Sequence, residues 1–381
     1  MMHPSILDEV LMSGKPIKPI KPIRSVLGQL GLTQVRYVKP VPPKAAGALA
    51  SRVYGQVERD FGVLAPPVAL HSPAPEIMAA IWIMLRESLV VPGQVERAAK
   101  ETVATAVSAG NTCPFCVTIH SGTLAGLTGM AGAPAAAEDF AGSLADPRLR
   151  GLAEWAAACG TEVGARQHAA ACPADQAPEL IGTAVLLHYL NRMVNVFLGQ
   201  VPLPPRVPRM ALKPVMRVVS GMIQTASARS LTPGASLDLL PSAAPPDDLS
   251  WAAANPVLAD GFARAFSAID AAGARFASEP VRELVLTELA SWHGDKRGPS
   301  RAWAADAVSG LPAPDQAAGR LALLVAIASY QVDQSVIDAY RVSQDDDKAL
   351  IGLASWASLT AARRVGGWIP LGPVTAAHSS D

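Results

Sequence analysis

Apolar residues along the chain recur at intervals of three and four, the spacing of one face of an α-helix, and Leu49, Val53 and Val57 are the first clear example. We find no convincing alternation of apolar and polar positions of the kind that is typical of strands. Proline and glycine divide the helical pattern into segments, among them 76–91, 94–109, 113–127 and 179–198. The sequence therefore predicts an all-α fold.

The first 45 residues follow a different pattern. A Lys-Pro-Ile unit repeats from Lys15 to Ile23, and a proline at every third position fixes φ and removes backbone N–H donors. Residues 1–50 also hold seven Lys or Arg against two Asp or Glu. We expect 1–45 to be an extended basic segment outside the core. A surface strap is the simplest role, and contact with an acidic partner or membrane surface is the alternative.

A Pro/Gly/Ser-rich stretch at 231–250 is typical of a connection between domains. It divides the helical part of the chain into 46–230 and 251–381. The triplet Leu-Ile-Gly at 180–182 recurs at 350–352, each time near the start of a long apolar helix. We interpret the second part as a degenerate copy of the first.

The composition excludes several classes of protein. With 32 basic and 32 acidic side chains among 381 residues, the chain lacks the excess of cations that a general nucleic-acid binder needs. Half of the residues are apolar, which argues against disorder, yet the longest apolar runs are shorter than the roughly 18 residues of a membrane span. The N-terminus lacks the basic and apolar regions of an export signal. We expect a cytoplasmic protein without an integral membrane segment.

Two cysteines lie at the start of the segment 113–127. Thr112 is a natural N-cap for this helix, which places Cys113 at about its first position and Cys116 one turn later. Unpaired N–H groups and the helix dipole stabilise a thiolate there, and cysteines at this spacing can close a short disulfide. The pair predicts redox chemistry.

A carboxylate and an imidazole complete this candidate site. His120 follows Cys116 by four residues, which places its imidazole one turn below that sulfur. Glu101 lies in the preceding segment and faces His120 if the two helices pack antiparallel across Gly110 and Asn111. A carboxylate–imidazole–thiol series activates a nucleophile by general base catalysis.

Other uses of the two cysteines are open at this point. A zinc site could be built from Cys113, Cys116, His120 and either His168 or Cys172, although this ligand spacing is unusual for zinc. The pair could also be buried and inert. Haem attachment is excluded, because it requires a histidine directly after the second cysteine.

Further polar residues lie in the apolar segment 179–198. His188, Arg192 and Asn195 share one helix face. They could line the substrate approach to the cysteines together with Phe115. The favoured alternative is a hydrogen-bond ladder between helices or subunits.

The remaining cysteines and histidines are not candidates for the redox site. Cys159 and Cys172 lie in alanine-rich surroundings and are expected to be buried small apolar residues, whereas His71 and His168 are expected at the surface. No cysteine follows residue 172, so the second half cannot perform dithiol chemistry. We expect one active site per chain.

The pattern Glu–x11–Cys–x2–Cys–x3–His on an all-α scaffold resembles the alkylhydroperoxidase D (AhpD)-like, carboxymuconolactone decarboxylase superfamily. The strings at 99–101, 111–113 and 188–193 are similar to its CxxC-containing, peroxidase-related branch. The resemblance covers roughly 50–200 and extends weakly to 250–370 through the apparent repeat.

The resemblance implies an oligomeric helical protein that reduces hydroperoxides. The Cys113–Cys116 pair would cycle between dithiol and disulfide, with Cys116 peroxidatic and Cys113 resolving, and with Glu101 and His120 as the proton relay. It implies re-reduction by an external thiol or dithiol, such as a dihydrolipoyl group or a thioredoxin-like protein. No metal or other cofactor is expected. The family has a histidine immediately before the second cysteine, whereas this chain has Phe115.

Two other functions are compatible with the same residues. One is general thiol–disulfide exchange. The other is a non-redox scaffold or small-molecule binder that retains an old site. The reactivity of the thiol pair separates these possibilities, because an unactivated thiol reacts no faster than a free cysteine.

Overall fold

The computed structural model describes residues 28–129, 139–168, 172–203 and 212–370, and the fold is all-α: within these ranges no strand is present. The Lys-Pro-Ile units lie outside the described residues. The part of the predicted extended segment that is described begins with a helical turn at 28–32, so the expectation of extended chain is wrong there. Gly28 and Gly31 of this turn lie against Leu64 and Pro66, and this packing favours a compact turn.

The helices in the first half of the described chain follow the predicted segments closely. They are α1 Ala48–Gln56, α2 Pro66–Ala69, α3 Pro75–Leu85, α4 Arg97–Gly110, α5 Pro114–Thr128, α6 Pro147–Ala158, α7 Glu162–Gln167 and α8 Ala177–Phe197. Proline occupies one of the first two positions of several of them. A backbone N–H at these positions has no acceptor within the helix, so proline breaks no hydrogen bond there.

The rest of the described chain is built in the same way. Its helices are α9 Leu212–Ser227, α10 Pro256–Phe276, α11 Glu279–Ser291, α12 Ala302–Val308, α13 Ala313–Ala328, α14 Gln334–Arg341 and α15 Asp347–Gly366. The Leu-Ile-Gly triplets at 180–182 and 350–352 lie in the first turns of α8 and α15. These two helices pack against each other. The duplication itself stays a prediction.

Two π-helical turns extend helices of the first half. Val57–Phe61 continues α1, and Arg86–Val90 continues α3. The first of them ends at Gly62, where φ is +99° and a Cβ atom would lie 2.6 Å from the carbonyl oxygen of Met222. Only glycine fits this position, for both its backbone angle and its contact.

Helix α8 lies at the centre of the molecule. Every residue of α8 except Asn195 is buried, and the helix packs against both α4 and α15. By length and composition it is the one helix of the described chain that could cross a membrane, and 94% of its apolar window is buried inside the protein. Its polar side chains therefore have to find hydrogen-bond partners inside the protein.

The stretch at 231–250, predicted as a connection, is packed onto the first half. Arg86 donates to the carbonyl of Thr232 at 3.1 Å. The carboxylate of Glu87 accepts from the backbone N–H of Gly234 at 2.9 Å and from the hydroxyl of Ser236 at 2.6 Å. Buried charged groups thus tie the connection to the helix that precedes α4. The division into domains stays a prediction.

Candidate active site

The two cysteines lie where α4 turns into α5. The structure places Cys113 at the N-cap and Pro114 at the first helical position, so the prediction that Thr112 is the N-cap is wrong by one residue. The reason is steric, because a proline ring disfavours helical angles in the residue before it. Thr112 takes a left-handed conformation with φ of +53°, which is unusual for a β-branched residue.

Both thiols are free and buried. Cys113 is 1% exposed and Cys116 is 4% exposed. Burial first, and then the neighbouring Cys113 thiol, raise the pKa of Cys116 well above its usual value. The resting site therefore holds Cys116 as a thiol, and any reaction that uses its thiolate needs a proton acceptor.

An imidazole paired with a carboxylate lies on the neighbouring turns. Helices α4 and α5 pack against each other, and His120 Nδ1 lies 2.7 Å from Glu101 Oε2. The structure thus brings these two predicted residues together in a buried carboxylate–imidazole pair. With Nδ1–H donated to the carboxylate, Nε2 is the imidazole nitrogen left to accept a proton.

Arg97 is part of this arrangement, although the sequence analysis did not single it out. Its Nε donates to Glu101 Oε1 at 2.8 Å from one helical turn away. Burial acts to raise the pKa of Glu101, but Arg97 and His120 together outweigh it and hold the pKa below its usual value. Glu101 is therefore an anion near neutral pH. The Arg–Glu spacing of four residues was the sequence signal that could have identified Arg97.

Helix α8 packs against both α4 and α5 and brings a buried amide, Asn191, to this part of the molecule. Although His120 is one turn from Cys116 along α5, the hydrogen bonds within 28–129 do not include one between them, because the imidazole is turned toward Glu101. Asn191 donates to Ser108 Oγ at 3.0 Å and accepts from Asn111 Nδ2 at 3.0 Å, both near the end of α4. Asn191 lies within the string 188–193. A polar residue on an otherwise apolar helix is the sequence signal that could have identified it.

The three polar residues predicted to share a face of α8 bond to other parts of the protein. His188 Nδ1 accepts from Asn111 at 3.0 Å, and Arg192 Nε donates to the carbonyl of Ala326 at 2.8 Å. The amide of Asn195 donates to the carbonyl of Asn111 at 3.3 Å. These contacts are those of the ladder between helices that the sequence analysis favoured.

Phe115 is 2% exposed and occupies the second position of α5, between the two cysteines. A pocket lined by Phe115 and the three α8 residues stays a prediction. The polar groups of that set are already engaged within the protein, so a substrate would have to compete with these bonds or use other atoms.

The two remaining cysteines are buried, as expected. Cys159 Sγ lies 3.7 Å from His188 Nε2. Burial first, and then Cys172, raise the pKa of Cys159 to about 12, while burial and the nearby Asp175 raise the pKa of Cys172 to about 12. Both are therefore protonated and unreactive at neutral pH.

The two histidines expected at the surface differ. His168 is exposed, but His71 is fully buried and its Nε2 lies 2.8 Å from the hydroxyl of Tyr189. Burial lowers its pKa to about 3. The turn residues around His71 suggested exposure. In the structure its partner Tyr189 comes from α8, far along the chain, and no local pattern reveals that contact.

The zinc alternative would need three or more ligands in one place. Among the described residues, no three His, Cys, Asp or Glu side chains lie together in a group that could hold a metal ion. Within that part of the chain His120 pairs with a carboxylate and Cys159 with an imidazole. No third side chain that could bind a metal joins either pair.

Comparison with known proteins gives one informative match. No known family profile matches the chain. A curated protein of Mycobacterium tuberculosis, described as an alkyl hydroperoxide reductase, is 38% identical over 340 residues. The match covers 88% of this chain and 95% of that protein. It therefore extends well beyond the half that carries the cysteines.

Proposed function

Since this chain belongs to the AhpD-like family, we propose that it is a thiol peroxidase that reduces hydroperoxides through Cys113 and Cys116. The observation that carries the proposal is the buried Glu101–His120 pair, joined at 2.7 Å on the turns next to the two thiols. The description of the relative as an alkyl hydroperoxide reductase supports the same substrate class.

The first step is removal of the Cys116 proton. Glu101 is held as an anion by Arg97, and its carboxylate accepts Nδ1–H of His120. The imidazole Nε2 then takes the thiol proton, directly or through one water molecule, and Glu101 stabilises the imidazolium that forms. The buried thiol, whose pKa is raised, becomes a nucleophile only when this acceptor is in place.

The second step is attack on the peroxide. The thiolate sulfur bonds to one oxygen of ROOH, the O–O bond breaks, and the leaving alkoxide takes the proton from His120. Cys116 becomes a sulfenic acid and the products include ROH. Sulfur is oxidised by two electrons and the peroxide is reduced by two.

The third step closes the disulfide. Cys113 attacks the sulfenic sulfur of Cys116, the S–O bond breaks and water leaves. An external dithiol then reduces the disulfide by exchange, returning both thiols and leaving as a disulfide itself. Two sulfur atoms carry both electrons through this cycle, so the proposed reaction requires no metal, flavin or nicotinamide.

The burial of the sulfurs bears on the substrate and the reductant. With exposures of 1% and 4%, the two thiols are more accessible to a small hydroperoxide than to the surface of another protein. A dihydrolipoyl group on a long arm is likewise narrower than a thioredoxin-like domain. We therefore favour a small alkyl hydroperoxide as substrate and a dihydrolipoyl group as reductant.

Stopped-flow measurement of thiol loss after addition of an alkyl hydroperoxide tests the proposal. The wild type should lose two thiols per peroxide consumed. A Cys116→Ser variant should lose none, and a Cys113→Ser variant should stop at a sulfenic acid that dimedone traps. A Cys159→Ser/Cys172→Ser double variant is the control and should match the wild type. Equal thiol loss in the wild type and in Cys116→Ser would remove the mechanism.

General thiol–disulfide exchange is the competing function. It would show as rapid reduction of insulin disulfides together with slow peroxide turnover. We expect the opposite ranking, since a protein disulfide has to reach sulfurs that are almost completely buried. Insulin reduction by the wild type that outpaces peroxide reduction would replace the peroxidase proposal.

A further inference from the structure

The turn that leads from α4 into α5 closes with two backbone hydrogen bonds. The N–H of Cys113 donates to the carbonyl of Ser108 at 2.9 Å. The N–H of Thr112 donates to the carbonyl of Ala109 at 3.0 Å. This pair of bonds around a left-handed residue is the Schellman motif, which ends many helices. The position of Cys113 is therefore set by the way in which α4 ends.

Thr112 is an unfavourable residue for this motif. The left-handed position usually holds glycine, whereas here a β-branched residue has a φ of +53°. Such a conformation costs free energy and persists only where the surrounding structure holds it. The side chain of Thr112 is exposed, so its own packing does not compensate for the strain. The contacts that hold the turn have to come from a neighbouring residue.

Asn111, the residue before Thr112, is held by three side chains of α8. Its Nδ2 lies 3.0 Å from Nδ1 of His188 and 3.0 Å from Oδ1 of Asn191. Its carbonyl accepts from the amide of Asn195 at 3.3 Å. Positions 188, 191 and 195 share one helix face. Both hydrogens of the Asn111 amide thus have an acceptor on that face, and the backbone of the same residue bonds to it as well.

The two acceptors are themselves fixed in orientation. Burial holds the pKa of His188 well below its usual value, so the imidazole is neutral and Nδ1 can accept. Ser108 Oγ donates to the carbonyl of Ala104 at 2.7 Å and therefore accepts from Nδ2 of Asn191 at 3.0 Å. This bond turns Oδ1 of Asn191 toward Asn111. A buried amide costs free energy unless its hydrogen bonds are made, which keeps this arrangement in place.

We propose that Asn111 is a positioning residue that holds Thr112 in its left-handed conformation and so keeps Cys113 within reach of Cys116. Two thiols held close together have a high effective concentration for each other, which favours closure of their disulfide. If the turn relaxes, Cys113 moves with it, because its N–H is part of the motif. The proposal rests on the redox pair of the proposed function, but the disulfide equilibrium can be measured without any peroxide.

Equilibration of the full-length chain with glutathione measures this effect. Oxidised glutathione takes two electrons and two protons from the Cys113–Cys116 dithiol, giving the protein disulfide and two molecules of reduced glutathione. Both cysteines fall on one tryptic peptide, 101–148, which contains no other cysteine. Acid quenching, alkylation of the remaining thiols and mass spectrometry of this peptide therefore report the fraction of disulfide.

Asn111→Ala should shift this equilibrium toward the dithiol by about tenfold, which is about 30 mV for a two-electron couple. Alanine removes the side-chain bonds that hold the turn and leaves the strain at Thr112 uncompensated. Adding Thr112→Gly to this variant should restore most of the loss, because glycine takes the left-handed conformation without a steric cost. Thr112→Gly alone should stay within about twofold of the wild type.

Asn255→Ala is the matched control. Asn255 is the N-cap of α10, where its side chain accepts from the backbone N–H of Leu258 at 3.1 Å. Alanine there should weaken the fold through the lost cap. It should leave the glutathione equilibrium unchanged, so the comparison separates a loss of stability from a change at the two sulfurs.

An unmoved equilibrium in folded Asn111→Ala overturns the proposal, and so does a shift that Thr112→Gly fails to reduce. If Asn111→Ala does not fold, as judged by circular dichroism, Asn195→Ala decides, because it removes the bond to the carbonyl of Asn111. An unmoved equilibrium there has the same consequence.

The same variants separate this proposal from the peroxidase function. A shifted equilibrium in a protein that consumes no peroxide would leave the positioning role standing and remove the peroxidase function. Peroxide consumption together with an unmoved equilibrium in Asn111→Ala would do the reverse.

Discussion

Arg97 and His120 bind different oxygens of one carboxylate. Arg97 lies one helical turn before Glu101 and donates to its Oε1 at 2.8 Å, which leaves Oε2 for the imidazole of His120 at 2.7 Å. The arginine therefore acts on the imidazole through the carboxylate, by keeping it charged and by holding it in place. The proposed base therefore depends on a residue that acts through the carboxylate of Glu101.

Replacing Arg97 by methionine should weaken both the fold and the reaction. The ion pair holds the pKa of Glu101 below its usual value, so it stabilises the folded state above the carboxyl pKa of the unfolded chain. This contribution is lost as the pH falls through the lower, folded-state pKa. We expect Arg97→Met to lower the free energy of unfolding near neutral pH by about 1 to 3 kcal/mol, measured by urea denaturation.

The same variant should change the pH profile. Without Arg97, burial raises the pKa of Glu101, and the acid limb of the thiol-oxidation rate should move to higher pH. Arg148→Met is the control, because Arg148 pairs with Glu96 at an exposed site and should change stability by about 0.5 kcal/mol or less. An Arg97→Met profile that coincides with the wild type would mean that Arg97 has no influence on the base.

Replacing Glu101 by glutamine should impair the reaction while the thiol pair stays intact. Glutamine keeps the size of the side chain but cannot stabilise an imidazolium. General acid–base assistance contributes about 10² to 10⁴ in rate, and we expect a loss at the lower end of that range. Stopped-flow thiol oxidation measures it, and titration of free thiols after unfolding shows that Cys113 and Cys116 remain. A loss below threefold would exclude Glu101 from the relay.

Phe115→His should speed the reaction. Phe115 lies between the two cysteines in sequence, at the second position of α5, and an imidazole there could carry a proton from one sulfur to the other. We expect faster disulfide closure after the peroxide step. The lifetime of the sulfenic acid measures it, and dimedone added at successive times after the peroxide reports how much sulfenic acid remains. Phe115→Leu is the control for lost volume, since Phe115 is buried, and it should not shorten that lifetime.

Gly62→Ala should destabilise the protein without changing the site. A Cβ atom at Gly62 would lie 2.6 Å from the carbonyl oxygen of Met222, and φ is +99°. We expect a loss of about 1 to 3 kcal/mol in the free energy of unfolding, from urea denaturation. Gly55→Ala is the matched control, because a Cβ atom added at Gly55 in α1 would meet no atom of another part of the protein within 4 Å, and it should be neutral or stabilising.

Cys159 and Cys172 should resist alkylation in the folded protein. Their pKa values are both raised to about 12, so the thiol form persists at every pH below that value. Iodoacetamide in mildly alkaline buffer should label them only after urea is added, as peptide mass spectrometry would show. Rapid labelling of either one in the native state would contradict the burial described above.

Local chemistry made much of the fold predictable. Proline and glycine mark helix starts and ends through φ and through missing donors, so the segments 94–109 and 113–127 appear in the structure as α4 and α5 with small shifts. The π-helical turns were not predicted, because an extra residue in a turn leaves the apolar spacing almost unchanged. His71 was misplaced since its partner, Tyr189, is 118 residues away along the chain.

The candidate site was predictable where spacing alone decides. The packing of α4 against α5 brings Glu101 to His120, as expected if the two helices form a hairpin across Gly110 and Asn111. Asn191 bonds to Ser108 and Asn111 from a helix far along the chain, and no local pattern specifies that meeting. The position of Cys113 was one residue off because the steric demand of Pro114 outweighs the N-cap preference of Thr112.

The bond from Arg192 to the carbonyl of Ala326 has a practical consequence for anyone who wishes to shorten this protein. The hydroxyl of Ser358 also reaches across, donating to the carbonyl of Tyr189 at 2.9 Å. A truncation anywhere in 231–250 would discard both partners and strip the cover from the helix that carries Asn191. The part of the chain after residue 250 therefore covers α8 and satisfies its polar groups, and a shortened form of the protein has to keep that part.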